Sequence, residues 1–233
     1  MQTVKKIYDS FFHLLYPHIC TGCGSDLLSK DNQLCAKCMT ALPYTHYAMH
    51  EGNPVEKIFG GRLPIAAAHS QFYFEKTSLM QHLVHQLKYK GNTSIGIYLG
   101  ELLGKTLSVS HRFQQIDALI PLPLYPEKEK KRGYNQAAII CQGISAVLRI
   151  PIINNNLIRR RYTDTQTKKH RTERWENVAD SFIVRDSEAL CGKHLLLVDD
   201  VITTGATLEA GGAALMQAKD TKLSIATLTI ATL

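Results

Sequence analysis

The sequence predicts an α/β fold: a mostly parallel sheet flanked by helices, with a small four-cysteine module in front. Three stretches carry this prediction. Leu195 to Val198 is an unbroken apolar run, the pattern of a strand buried on both faces. It runs through Asp199 and Asp200 into the small, hydroxyl-rich turn Thr203-Thr204-Gly205-Ala206-Thr207, and then into a helical stretch over 206–218. Near the start, Cys20-x-x-Cys23 and Cys35-x-x-Cys38 form two close pairs.

The chain has 233 residues, enough for one substantial domain and a small one, with the module and its linker expected over 1–60 and the main domain over 61–233. An apolar share of 45% with 20% charged residues is that of a globular protein. The net charge of +7 suits anionic ligands, whether phosphates, pyrophosphate or nucleic acid, and does not choose among them. No apolar run reaches membrane-spanning length, so no membrane insertion is expected. No signal peptide reads from the start of the chain, and the expected location is the cytoplasm. Cysteines there are thiols or metal ligands, not disulfides.

In the module, Phe11, Phe12, Leu14 and Leu15 suggest a short amphipathic helix ended by Pro17. Each Cys-x-x-Cys turns tightly enough for both sulfurs to hold one ion. Four thiolates, Cys20, Cys23, Cys35 and Cys38, point to structural zinc first and an iron–sulfur centre second. The eleven-residue spacer, 24–34, is a little shorter than the usual template. His18 reads as a surface histidine, and Cys141 and Cys191 as small buried apolar residues. Residues 41–60 read as a linker holding one helical turn over Val55–Phe59.

In the main domain, Ile65–Phe74 reads as a hairpin or bent strand. Leu79, Leu83, Val84 and Leu87 lie at helical spacing, and the helix ends near Lys90-Gly91 with Lys88 in its last turn. A second helix covers Ser94–Leu107. Ala118–Leu122 is a strand, and Pro121 near its end and Pro123 and Pro126 beyond it demand extended backbone. The following Lys128 to Arg132 therefore reads as a basic loop, closed by Gly133-Tyr134-Asn135-Gln136 and a helix over Ala137–Leu148. Leu157 to Arg161 and Ser181–Arg185 read as short strands, and Leu223–Ala231 as the last one. Between the short strands lies a basic stretch with Thr165, Gln166, Lys168, Lys169, Arg171, Arg174, Trp175 and Asn177.

The residue types now suggest a ligand. Ligands of open α/β sheets sit beyond the carboxyl ends of the strands. The turn 203–207 opens a helix whose free N–H groups suit a phosphate, with Gly205 allowing close approach and threonines donating hydrogen bonds. Asp199 and Asp200 would repel that phosphate and fit sugar hydroxyls or a cation instead. A phosphorylated ribose satisfies both halves. Lys128, Lys130, Lys131 and Arg132 with Asn135 and Gln136 form a second anion-binding candidate, suited to a diphosphate; Lys88 is a further ligand candidate, and the stretch with Arg174 suits either a roof over pyrophosphate or a nucleic acid.

Residues 195–207 closely resemble the phosphoribosyl-pyrophosphate (PRPP) motif of the type I phosphoribosyltransferases. The resemblance implies that Asp199 and Asp200 hold the ribose and that Thr203, Thr204, Gly205, Ala206 and Thr207 hold the 5′-phosphate. The four-cysteine module, Lys88-Tyr-Lys-Gly91, Pro121-Leu-Pro123 and Arg132-Gly-Tyr-Asn-Gln136 occur in the order of the ComF family, to which the whole chain is similar. Arg174 and Asn177 match that family's pattern. Tyr134 stands where phenylalanine is more frequent, and Lys168 and Lys169 where leucine is. The resemblance implies a type I phosphoribosyltransferase-like fold behind a zinc knuckle. It implies PRPP bound with Mg²⁺, the ion held largely by ligand oxygens, and phosphoribosyl transfer to an unnamed acceptor with loss of pyrophosphate. It equally implies a role in DNA uptake, with a non-catalytic sensor or single-stranded-DNA-handling protein, partnered by competence proteins, as the alternative. The fold often pairs as a homodimer, and the sequence leaves the oligomeric state open.

Overall fold

The computed structural model describes residues 18–26, 28, 32–159 and 181–231. The helix expected over Phe11–Leu15, and the stretch holding Arg174, Trp175 and Asn177, lie outside the described residues. In chain order the elements are α1 (Ala36–Thr40), α2 (Pro54–Phe59), β1 (Ala67–Phe74), α3 (Leu79–Tyr89), α4 (Thr93–Ser108), β2 (Ala118–Pro121), α5 (Pro126–Arg132), α6 (Gln136–Leu148), β3 (Leu157–Arg159), β4 (Phe182–Val184), β5 (His194–Ile202), α7 (Ala206–Leu215) and β6 (Lys222–Ala231).

Four strands form one sheet in the order β1-β6-β5-β2, and every neighbouring pair is parallel. β3 and β4 form a separate antiparallel pair. The unbroken apolar run of β5 follows from its place between β2 and β6 with both faces covered. Leu196 and Val198 pack into one core with Leu99 and Leu103 of α4 and Ile140 and Ile144 of α6. Leu195 and Leu197 point the other way, into a second core with Phe59 of α2 and Leu208 and Leu215 of α7. Leu157 of β3 and Phe182 of β4 join this second core, so the small antiparallel pair sits on the α7 side of the sheet.

Two helices on the first face pack unusually close. A Cβ placed on Gly100 of α4 would collide with the Ile140 carbonyl, and one on Gly143 of α6 with the Ile97 carbonyl. Gly96 and Gly104 continue the α4 stripe, against Ile139 and against Ile144 and Val147. Side-chain caps fix where the helices begin: Ser78 for α3, Asn92 for α4 and Asn135 for α6 each accept from a first-turn N–H.

The structure corrects several expectations. Ile65–Phe74 holds one strand paired in parallel with β6, not a hairpin. The basic segment 126–132 is a helix, not a loop. Pro126 occupies the first turn, where its missing N–H costs nothing, and Tyr125 before it is extended, as a residue preceding proline prefers. Glu127 and Glu129 near its start and Lys130, Lys131 and Arg132 at its end match the helix dipole. β5 does not stop at Val198 but continues through both aspartates to Ile202, and α7 ends at Leu215, short of 218. Cys141 is buried as expected, but Cys191 is exposed.

Residues 41–60 are packed, not a free tether. Buried Asn53 caps α2 through Val55 and Glu56 N–H groups and donates to the carbonyls of His50 and Ala68. Glu56 accepts from the Ala68 N–H and pairs with Arg112 at 2.7 Å, clamping α2 to the edge strand β1.

The α4–α6 contact allows a direct test. Gly100→Ala or Gly143→Ala should destabilise the protein by about 1–3 kcal/mol, because backbone on both helices must move to admit one methyl. Urea denaturation measures this, and an unchanged midpoint would show that the helices separate freely.

Candidate functional site

The site is built on the carboxyl end of β5. Alternation along the strand sends its two acids to opposite sides of the sheet. Asp200 is buried and meets Lys88 of α3, whose Nζ lies 3.0 Å from its Oδ1. Asp199 is half-buried and lines the turn into α7. Burial, and then the neighbouring Asp200 charge, push the Asp199 carboxyl up to about 8. The Asp200 N–H, which donates to Asp199 Oδ1 at 2.8 Å, and the charges of Lys88 and Arg159 act against that rise.

The turn itself encloses a cavity of about 50 Å³, lined by Asp199 and by Thr203, Thr204, Gly205, Ala206 and Thr207. Its volume suits one phosphate group. Gly205 adopts φ +75° and caps α7, and a Cβ there would lie 2.6 Å from Ile58 Cγ2. Glycine is thus required twice, for the left-handed backbone and for the approach to α2. Arg62, a residue that no motif singles out, crosses from the end of α2. It donates to the Ile58 and Thr204 carbonyls, each at 3.1 Å, and ion-pairs with Glu209 of α7.

A larger pocket of about 400 Å³ is lined by Lys88, the partner of Asp200, together with Tyr89, Gly91, Lys128, Lys131, Arg132 and Tyr134. Two contacts hold its like-charged walls together. The Tyr134 hydroxyl donates to the Leu87 carbonyl at the end of α3, and the Arg132 guanidinium sits 5.6 Å from the Tyr89 ring centroid. Of the sequence candidates, Lys88, Lys128, Lys131 and Arg132 line this pocket. Asn135 instead caps α6 and donates to the Leu122 carbonyl, and Gln136 is buried beside it with Oε1 unpartnered among the described residues. Arg174 lies outside the described residues.

Arg159 of β3 is a second residue that the motifs do not reveal. Its guanidinium stacks 3.8 Å from the Tyr125 ring centroid and 5.1 Å from that of Phe182, and its charge reaches Asp199. Only the fold brings it there, since β3 and β5 are far apart in sequence.

The four module cysteines come together. Their sulfurs all lie within 4.8 Å of one another, with Cys23 and Cys35 at 3.6 Å. A tetrahedral Zn–S₄ site at about 2.3 Å per bond has sulfur–sulfur edges of about 3.8 Å, so the set is of the right size. The Cys35 N–H donates to Cys20 Sγ at 3.2 Å. Burial raises the Cys20 thiol, but N–H donors from Cys35, Cys23 and Gly22 outweigh it and bring the group down to about 6. Burial and the surrounding thiols push Cys38 up. His18 is turned to the Asn32 carbonyl at 2.8 Å.

A strand–acid pair–turn–helix unit on a parallel sheet, faced by a cationic pocket, is the arrangement of a phosphoribosyltransferase-like domain. The family model of the phosphoribosyl transferase domain matches residues 127–232. Competence protein F of Haemophilus influenzae is 32% identical over 84% of this chain and 83% of its own. DNA utilization protein YhgH of Escherichia coli O157:H7 is 32% identical over 82% of this chain and 80% of its own. Competence protein ComFC of Bacillus subtilis is 24% identical over 85% and 78%. A solved structure of an allosteric regulatory enzyme of purine biosynthesis aligns at TM-score 0.39 and 21% identity, covering 57% of this chain and 25% of that one, too loosely to carry an argument. The chain belongs to the ComF family. Among the described residues, no helix is long and apolar enough to cross a membrane.

The raised Asp199 carboxyl has a measurable consequence. An unfolded aspartate titrates near 3.9, so between about pH 4 and 8 the native state holds a proton that the unfolded chain has released. This contribution to stability is complete below about pH 4 and is lost as the pH rises through about 8. Ligand-free Asp199→Asn should therefore gain stability over wild type as the pH is raised from about 5 to 9, measured by denaturant unfolding. A difference that stays flat over that range would show an ordinary carboxylate.

Proposed function

We propose that this protein binds PRPP with Mg²⁺ across the carboxyl end of β5. The observation that carries this reading is the acid pair at the end of β5: Asp199 lines the phosphate-sized turn, and the adjacent Asp200 pairs with Lys88, which lines the cationic pocket. A ligand with a phosphate at one end, a diol in the middle and a diphosphate at the other matches that order. The turn 203–207 would hold the 5′-phosphate through backbone N–H groups and threonine hydroxyls. Asp199 and Asp200 would accept from the ribose hydroxyls, and Lys88, Lys131 and Arg132 would neutralise the pyrophosphate.

Mg²⁺ suits a site of carboxylates and ligand phosphates and, when bound, would offset charge on the pyrophosphate oxygens. In the reaction such a complex supports, the bond from the anomeric carbon to pyrophosphate breaks, the electron pair leaves with pyrophosphate, and a bond to the acceptor forms. The aspartates would stabilise the positive charge at the ribose and hold the reacting carbon in place. Zinc in the four-cysteine set is structural in this reading, because four thiolates leave no open position.

A second reading, the handling of single-stranded DNA, is favoured by Tyr89. This residue is 67% exposed and lies among Lys88, Lys128, Lys131 and Arg132, a combination that suits base stacking beside phosphates. The names of the relatives, competence and DNA utilization proteins, agree with it. This surface would keep its DNA affinity, and a steep salt dependence, in Asp199→Asn.

Calorimetric titration separates the readings. PRPP should bind with micromolar affinity only with Mg²⁺, and Asp199→Asn/Asp200→Asn should abolish it. At ligand about 100-fold above its dissociation constant the protein should gain about 2.7 kcal/mol of stability. No binding by folded protein would leave DNA handling as the better reading. Metal analysis after gentle purification should find one zinc per chain, and a chelator should lower the melting temperature. Well under one equivalent would overturn structural zinc.

A further inference from the structure

We infer that Arg62 is a positioning residue for the 5′-phosphate, which it acts on through the turn 203–207 without touching the ligand. This inference rests on the PRPP reading of the site. Arg62 follows α2, outside the stretch that the domain model matches. Its Nη1 donates to the Thr204 carbonyl and to the Ile58 carbonyl, each at 3.1 Å, while Nη2 pairs with Glu209. One guanidinium thus ties the phosphate turn, the helix beneath it and the helix that follows it.

Two physical effects come from this clamp. The first is orientation. In a trans peptide the C=O and N–H point in opposite directions, so holding the Thr204 carbonyl towards Arg62 turns the Gly205 N–H away from it. Among the described residues that N–H has no protein acceptor, which leaves it free to donate to an anion. Without Arg62 the 204–205 peptide can rotate, and glycine offers no side chain to resist it. The second effect is charge. Glu209 lies in the first turn of α7, close to where the phosphate would sit, and an unpaired carboxylate there would repel it. Arg62 neutralises that charge.

The clamp is itself held in place. α2 is fixed to β1 by Asn53 and Glu56, and Ile58 and Phe59 form the floor against which Gly205 packs. The N-terminal part of the chain therefore completes a site whose recognisable motif lies 140 residues later, as the sequence separation of 142 in the Arg62–Thr204 bond shows.

Ribose 5-phosphate probes the turn, and inorganic pyrophosphate probes the cationic pocket. Both are titrated calorimetrically into wild type, Arg62→Ala and Arg62→Lys, with folding of each checked by thermal melting. Arg62→Ala should weaken ribose 5-phosphate about tenfold and leave pyrophosphate unchanged. Arg62→Lys keeps the charge but loses the fork and should fall between. Adding Glu209→Gln to Arg62→Ala should recover the charge effect and not the orientation effect, so affinity returns only in part. Unchanged ribose 5-phosphate affinity in folded Arg62→Ala, or equal loss of both ligands, overturns the assignment of Arg62 alone. Wild type that binds neither ligand overturns the PRPP reading and this inference with it.

Discussion

Burial of β5 on both faces is the constraint on which the site depends. A strand between two helical layers must place apolar side chains alternately up and down, and Leu195 to Val198 do so. The same alternation continues into Asp199 and Asp200, because the strand continues to Ile202. The acid pair is therefore one feature in sequence and two in space. Asp200 turns to the face of α3 and α4 and finds Lys88, while Asp199 turns to the face of α7 and lines the turn. Had the strand ended at Val198, the acids would sit in a loop with no reason to divide the site in this way.

The division solves a problem of charge. In the PRPP reading, the site brings phosphates near three carboxylates: Asp199, Asp200 and Glu209. Two of these are ion-paired by cations from distant parts of the chain, Asp200 by Lys88 at the end of α3 and Glu209 by Arg62 after α2. Asp199 is instead held in its neutral form by burial and by Asp200, against which the charges of Lys88 and Arg159 act. An unpaired buried carboxylate is costly, and it would also repel the ligand. Supplying the cations from separate elements lets the two ion-paired acids stay beside the turn and the cationic pocket while the local field remains tolerable for the anions of the PRPP reading. It also makes the site a property of the whole fold, since no stretch of consecutive residues holds an acid together with its partner.

This explains what could be read from the sequence. The strand 195–198, the turn 203–207, the acid pair and the cysteine pairs are local patterns whose chemistry is written in neighbouring residues. The parallel sheet followed from alternating apolar strands and helical periods, and it is seen in β1, β2, β5 and β6. The helical nature of 126–132 is masked in sequence because proline stops a helix in its interior but starts one at the first turn. Exposure of Cys191 depends on where the turn before β5 lies, which no local pattern states. Arg62 and Arg159 carry no local signal, since their partners are Thr204, Glu209, Tyr125 and Phe182. A lone arginine in sequence says nothing about the carbonyl it will meet.

One helix, α3, spans from the cysteine module to the candidate site. α3 begins against the module: a Cβ on Gly22 would lie 2.9 Å from both Cys38 Sγ and Leu79 Cδ1, and His82 Nε2 lies 3.0 Å from the Thr21 carbonyl. It ends at the site, where Lys88 meets Asp200 and the Leu87 carbonyl accepts from Tyr134. Between these ends Met80, Leu83, Val84 and Leu87 are buried in the same core as Cys20, Cys35 and Cys38. At 1.5 Å per residue, eleven residues make a strut of about 16 Å. A helix this short is marginal alone and takes its stability from the face it buries. The helix that carries Lys88 thus shares its buried face with the cysteine module, although none of the module's described residues lines the two candidate cavities.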